Sequence, residues 1–345
     1  MELSIDIETF SSVDLVKCGV YAYTNSDDFE ILLFAYSIDD EEIRIIDLAS
    51  GGKIPKEILE ELEDDAVIKT AFNANFERTC LSKYLNRILS PKAWRCTAVQ
   101  AAMLGLPLSL EGVGAVLGLE KQKMKEGKEL IRYFCMPCKP TKTNNMRTRN
   151  VSIHSQDKWE LFKTYCKRDV IVEKAIKVKL EKYSIPEKEQ QYYELDQKIN
   201  DRGIFIDNKL VKQAIRCDKS LKEQNTIKAQ NITGLDNPNS VAQLKGWLIE
   251  NGLEVESLSK KSVSDLSKDI DGEVEELLKL RMEMAKTSIK KYEAIERSIC
   301  SDGRVRGLLQ FYGANRTGRW ARQISSSAEP TSKPYTRFNS CKKFS

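Results

Sequence analysis

The sequence has one histidine in 345 residues, His154, which removes at the outset the chemistries that use imidazoles in sets. A Ser-His-Asp relay or a multi-histidine zinc site has almost nothing to be built from, and His154, just ahead of a helical stretch, reads as a loop residue. Cysteine offers little more. Nine are present, and Cys135-x-x-Cys138 is the one close pair, too few for a paired-thiolate zinc framework. No apolar run approaches the roughly eighteen residues needed to span a bilayer, so no membrane is expected as a partner. The chain opens directly on a strand pattern with no leader, and its cysteine usage fits a reducing, cytoplasmic compartment. An excess of one charge is also missing. Lys and Arg number 55 against 51 Asp and Glu, a net +4, so a polyanion would have to be met by local patches and not by a global field. Acidic-residue chemistry is what these absences leave.

With 41% hydrophobic residues the chain can fill real cores, and its length corresponds to about two domains. Leu3 to Phe10 (LSIDIETF) is an apolar run carrying two carboxylates where a buried strand should have none. Side chains two apart on a strand share a face, so Asp6 and Glu8 converge, which is costly unless a cation lies between them. A solvated edge strand would carry the same pair. Two further strands follow over 29–38 and 42–48, separated by the acidic turn 39–41, and suggest an antiparallel meander. A helix over 56–63, a strand over 66–72 and a helix over 74–85 then turn the pattern to alternating strand and helix. The predicted fold class is therefore α/β, a mixed sheet flanked by helices, with functional groups gathered at strand ends.

The strand ending at Phe72 runs into Asn73-Ala-Asn-Phe-Glu77, which sets an amide and a carboxylate at the start of the next helix. Asn73 serves equally as an N-cap, and Glu77 as ordinary dipole compensation. A helix is expected from about Leu110. The segment 121–150 is basic, with Lys121, Lys123, Lys125, Lys128, Arg132, Lys139, Lys142, Arg147 and Arg149 against Glu126 and Glu129. It reads as a partly mobile loop able to guide a phosphate backbone, or as a solvated surface. Ser155 then caps a long helix with apolar positions at Trp159, Phe162, Cys166, Val170, Ile176, Leu180 and Tyr183, on which Tyr165 and Asp169 stand one turn apart. Asp6, Glu8, Glu77 and Asp169 together match the charge of two divalent cations, and hard oxygen ligands favour Mg2+ or Mn2+. Two such ions about 4 Å apart serve phosphodiester hydrolysis. Tyr165 is better suited to orient the attacking water than to deprotonate it.

The set Asp6-Ile-Glu8-Thr9, Asn73-Ala-Asn-Phe-Glu77 and Tyr165-Cys-Lys-Arg-Asp169, in this order and spacing, resembles the 3′-5′ exonuclease domain of family A DNA polymerases. The resemblance implies a ribonuclease H-like fold over residues 1–185 and removal of nucleotides from a DNA 3′ end, as in proofreading. It further implies Asp6, Glu8 and Asp169 as metal ligands with Glu77 completing the set, Tyr165 as the residue positioning the water, and Thr9 and Asn73 beside the terminal nucleotide. The family usually has Asp where this chain has Glu77, whose extra methylene reaches a metal through a small shift. Single-stranded DNA ends or primer-template DNA are the implied partners, two Mg2+ or Mn2+ ions the implied cofactors, and no small-molecule cofactor is expected.

Residues 186–300 change character. Charged helices with a break at 202–204, a cap at Ser240 and one long amphipathic helix over 273–299 are predicted. Lys198 to Ile204, Asn239 to Gln243 and Ala285 to Ser288 resemble the thumb region of such polymerases. Residues 301–320 look like the start of a palm, which would bring Arg316 and Arg319 to the nucleic-acid backbone. The later polymerase carboxylates and fingers helix have no counterpart, so no polymerase activity is expected. From 321 to 345 no period survives and a disordered tail is expected. Deleting one nucleotide after Ala321 can restore a continuation like the family's, so the tail is expected to be a frameshift product of a phage or prophage gene. A DNA-binding remnant without catalysis is the alternative from another class, and an RNA exonuclease a third.

Overall fold

The computed structural model describes residues 1–322 apart from 121–123, 125, 256, 260–261, 264–265, 267–269 and 315. Lys121, Lys123 and Lys125 of the basic segment, and the expected tail beyond Arg322, lie outside the described residues. The protein is mixed α/β and divides into two compact units. One comprises residues 1–212 and the segment from Ile295; the other is Gln213–Ala294.

The first unit is built on a five-stranded sheet in the order β3-β2-β1-β4-β5. Its strands are β1 (Glu2–Phe10), β2 (Glu30–Ile38), β3 (Arg44–Asp47), β4 (Ile68–Ala71) and β5 (Trp94–Cys96). β1, β2 and β3 are antiparallel neighbours, as the meander required, whereas β4 and β5 run parallel to β1. The period of two decides what each face of β1 does. Leu3, Ile5 and Ile7 enter a core with Cys80 and Leu81 of α3 (Ala74–Tyr84). Leu33 and Ala35, the register partners of Glu8 and Asp6, belong instead to the core under α7 (Gln156–Leu180), with Phe162, Tyr165 and Cys166. The register slips between Glu8 and Thr9, a bulge at the point where the strand reaches the carboxylates.

Other elements of this unit are α1 (Leu15–Thr24), α2 (Lys56–Glu63), α4 (Thr97–Met103), α5 (Leu110–Val116), α6 (Gly127–Phe134), α8 (Glu187–Arg202), β6 (Ile204–Phe205), β7 (Arg304–Val305), β8 (Leu309–Ala314) and β9 (Arg319–Arg322). β8 and β9 form a hairpin held to α8: Asn200 exchanges two hydrogen bonds with the Leu309 backbone, and Trp320 Nε1 donates to Asp196 at 2.8 Å. The second unit packs Ala229 of α9 (Asn208–Thr233), Leu244 and Leu248 of α10 (Val241–Glu250), and Leu277 and Leu280 of α11 (Glu273–Met284).

Several expectations are corrected. The predicted helix over 273–299 is two, α11 and α12 (Lys290–Ser298), because Thr287 and Ser288 offer turn hydrogen bonds in place of the helical ladder. The basic segment is not simply loop: α6 lies inside it, with Leu130 and Phe134 buried under α7. Ser155 and Asn73 occupy cap positions, but neither side chain makes a capping bond, and Asn73 adopts a left-handed φ of 78°. Among the described residues no helix is long and apolar enough to cross a membrane.

Candidate active site

β1 delivers Asp6 and Glu8 side by side, and α7 delivers Tyr165, Cys166 and Asp169 onto them from the covering layer. One ligand atom from each of Asp6, Glu8 and Cys166 lies within 4.8 Å of the others. Cys166 Sγ sits 3.4 Å from Asp6 Oδ2, and Cys135 Sγ, just after α6, sits 3.8 Å from Glu8 Oε2. Glu77, in the first turn of α3, is 4% exposed, and its Oε2 has no hydrogen-bond partner. Burial, and next the charge of Asp6, push its carboxyl well above the ordinary range. A buried carboxyl crowded by a second one is stable only as the acid or with a cation beside it. The donor set therefore fits divalent cations.

Tyr165 is 1% exposed, stacked parallel to Phe162, and donates its hydroxyl to Asp169 one turn later. Burial, then the charges of Glu8, Asp169 and Asp6, raise its phenol far above the usual value. The phenol therefore stays protonated, its proton committed to Asp169, and its oxygen lone pairs remain as acceptors. Gly127, the first residue of α6, backs the ring so closely that a Cβ there would overlap it, at 2.8 Å from Cζ alone. Behind Asp169 on α7, Glu173 is fully buried and pushed up to about 7, by burial first, while a hydrogen bond from Thr97 pulls the other way.

Asp6, Asp169 and Asn73 share a cavity of about 410 Å³ with Phe72, Leu110, Tyr193, Phe311 and Tyr312. Asn73 is thus at the carboxylates' opening. Thr9 is not turned to that opening: it is buried, and its hydroxyl is 2.8 Å from the Tyr23 hydroxyl. Arg316 and Arg319 are exposed on the β8–β9 hairpin and are not among the residues lining that cavity. Arg149 of the basic segment lies over the Phe10 ring at 4.0 Å, which brings a cation to the end of β1. Sequence reasoning counted Cys166 only as an apolar position of α7 and Cys135 only as half of a close cysteine pair, and passed over Gly127 and Glu173. The adjacency of Cys166 to Tyr165 was the one available signal.

No protein-family model matches the chain. A DNA polymerase of Bacillus phage SP02 is 57% identical over 323 residues, 93% of this chain. The chain is a relative of a phage DNA polymerase. It spans about half the length of that polymerase, 50%. Among solved structures, this polymerase relative is similar to the POL domain of Pol1 from M. smegmatis in complex with DNA primer-template and dNTP. The TM-score is 0.56 at 14% identity, covering 94% of this chain and 51% of that one, a likeness of fold. Brucella melitensis NrnC with bound Mg2+ is a fainter likeness, at TM-score 0.36 and 14% identity over 57% of this chain and 81% of that one, and bears no weight.

Proposed function

We propose that the chain is a metal-dependent 3′-5′ exonuclease acting on DNA 3′ ends. The observation that carries this reading is the Asp6–Glu8 pair of β1, clustered at one point, with Asp169 of α7, the acceptor of Tyr165, lining the same cavity as Asp6 and the buried Glu77 of α3 within reach of the Asp6 charge. The strand order β3-β2-β1-β4-β5 supports a ribonuclease H-like assignment for the sheet and its helices. The relationship to a phage DNA polymerase supports DNA as the polymer. Residues 186–300 are assigned to a thumb-like region and 301–320 to the start of a palm, with Arg316 and Arg319 as backbone contacts.

Asp6, Glu8, Asp169 and Glu77 would hold two Mg2+ or Mn2+ ions, whose positive charge would offset the charge developing on the phosphodiester. The protein's own groups prepare the rest. Tyr165, unable to ionise, accepts a hydrogen bond from the attacking water and fixes its direction, while Asp169 fixes the phenol. Glu77, with its buried Oε2 unpartnered, holds anionic charge ready only when cations are present. Asn73 and the apolar wall of the adjoining cavity receive the terminal nucleotide.

The test is a 5′-labelled single strand incubated with Mg2+ or Mn2+, with Asp6→Ala/Glu8→Ala as control and an RNA strand of the same sequence alongside. A ladder shortening from the 3′ end that vanishes in the control is expected. Intact DNA with both ions, from protein shown to be folded, would leave a DNA-binding remnant as the better reading.

A further inference from the structure

Two sulfurs face the carboxylate pair, and magnesium chemistry has no use for either. Cys166 Sγ is 3.4 Å from Asp6 Oδ2, and its ligand atom falls in one cluster with those of Asp6 and Glu8. A tetrahedral cation with metal–sulfur and metal–oxygen bonds of about 2.3 and 2.0 Å sets those two ligand atoms about 3.5 Å apart. The Cys166 thiol here donates a hydrogen bond to Asp6 Oδ2, and a cation taking the place of its proton would keep the two atoms at that spacing. Glu77 supplies an independent sign that this region is built for positive charge, since it is 4% exposed, its Oε2 is buried without a hydrogen-bond partner, and it feels the charge of Asp6.

We propose that Cys166 joins Asp6 and Glu8 in a thiophilic cation site, one that takes Zn2+, or Co2+ as its spectroscopic stand-in, through a sulfur–metal bond. The inference rests on and deepens the exonuclease reading, because it adds a sulfur as third ligand to two carboxylates already placed there. Hard ions bind the oxygens and leave the sulfur aside, whereas a softer ion recruits it, and divalent affinity already rises toward the later transition metals. The thiol proton leaves to water as the bond forms, so no oxidant or reductant is involved. One strand and one helix thereby hold two overlapping sites of different hardness, and zinc displaces the pair of hard ions. Cys135, facing Glu8 Oε2 at 3.8 Å, stands outside the three-residue cluster and serves as a comparison.

The measurement is titration of the full, reduced, metal-free chain with Co2+, read by absorbance, for wild type, Cys166→Ser, Cys166→Ala and Cys135→Ser, each checked for cooperative melting. A near-ultraviolet sulfur-to-cobalt charge-transfer band is expected in wild type and Cys135→Ser, and should vanish in both Cys166 variants with affinity weakened about tenfold or more. Zn2+ should erase the wild-type band stoichiometrically, and Mg2+ only in large excess. Cobalt bound without that band in wild type overturns the sulfur ligand while the carboxylate site stands, whatever the variants do. A band lost in Cys135→Ser alone assigns the wrong thiol and overturns the proposal. No cobalt bound at all overturns it together with the metal-dependent reading.

Discussion

Gly127→Ala should disable the site without touching a carboxylate. The added methyl falls on the Tyr165 ring, 2.8 Å from Cζ, against a comfortable carbon–carbon separation of about 3.5 to 4.0 Å. The ring must therefore retreat by about 1 Å, and the parallel stack with Phe162 limits how far it can go. Overpacking of this kind costs about 1–3 kcal/mol of stability. A displacement of that size in a positioning group costs up to about a hundredfold in rate. Tyr165→Phe keeps the ring and removes the hydroxyl, so it should lose comparable activity at little cost in packing. If Gly127 acts through the hydroxyl, Gly127→Ala on a Tyr165→Phe background should cost almost nothing more in rate while still lowering the melting temperature. Single-turnover rates on a 5′-labelled strand and thermal melts of all four proteins complete the cycle. Rate losses that multiply in the double variant would refute the coupling, as would a Gly127→Ala protein of full activity and reduced stability.

Three further outcomes follow from the buried polar groups. Arg78, 1% exposed, makes two hydrogen bonds to Asp201, which also accepts from Tyr21, so Arg78→Ala should cost about 3–5 kcal/mol in denaturant unfolding. A loss below about 1 kcal/mol would show that water replaces the guanidinium. Glu173, raised from 4.5 to about 7, favours the fold while neutral, so its benefit is whole below the lower value and is lost as pH climbs through the upper. Glu173→Gln cannot ionise, and its stability relative to wild type should rise by roughly 3 kcal/mol between about pH 4 and 8, measured by melts of metal-free protein; a pH-independent difference would count against it. Trp320→Phe removes the indole donor from Asp196, a carboxyl that burial pushes up to about 6, and should lower the unfolding free energy by about 1–3 kcal/mol, read as a lower midpoint. An unchanged midpoint would mean that Gln197 and Asn200 satisfy Asp196 alone.

Where the sequence was legible, a period and a burial requirement agreed. The acids at Asp6 and Glu8 stood out because the apolar alternation of β1 gave them a face, and Tyr165 and Asp169 because α7 keeps helical period for 25 residues. β5 escaped notice because three residues carry no period; pairing with β4 and burial of Trp94 fix it instead. α6 was hidden by the charges within and around it, Lys128, Glu129 and Arg132 among them, which say nothing of Leu130 and Phe134 beneath them. Cys166 shows a different blindness. A cysteine at an apolar position packs as a small hydrophobe, and only coordinates tell whether its sulfur also meets a carboxylate.

The ties between α8 and the β8–β9 hairpin set a schedule for synthesis. Asn200 waits for Leu309, 109 residues later, and Asp196 for Trp320, 124 residues later. The strands of the central sheet are all made by Cys96, so the sheet can close while α8 still shows water a row of amides and acids destined for burial. Contacts this distant along the chain are slow to find. A ribosome paused within residues 213–294 therefore carries a finished sheet with an unfinished wall, and the cavity beside Asp6 and Asp169 gains its Phe311 and Tyr312 side last.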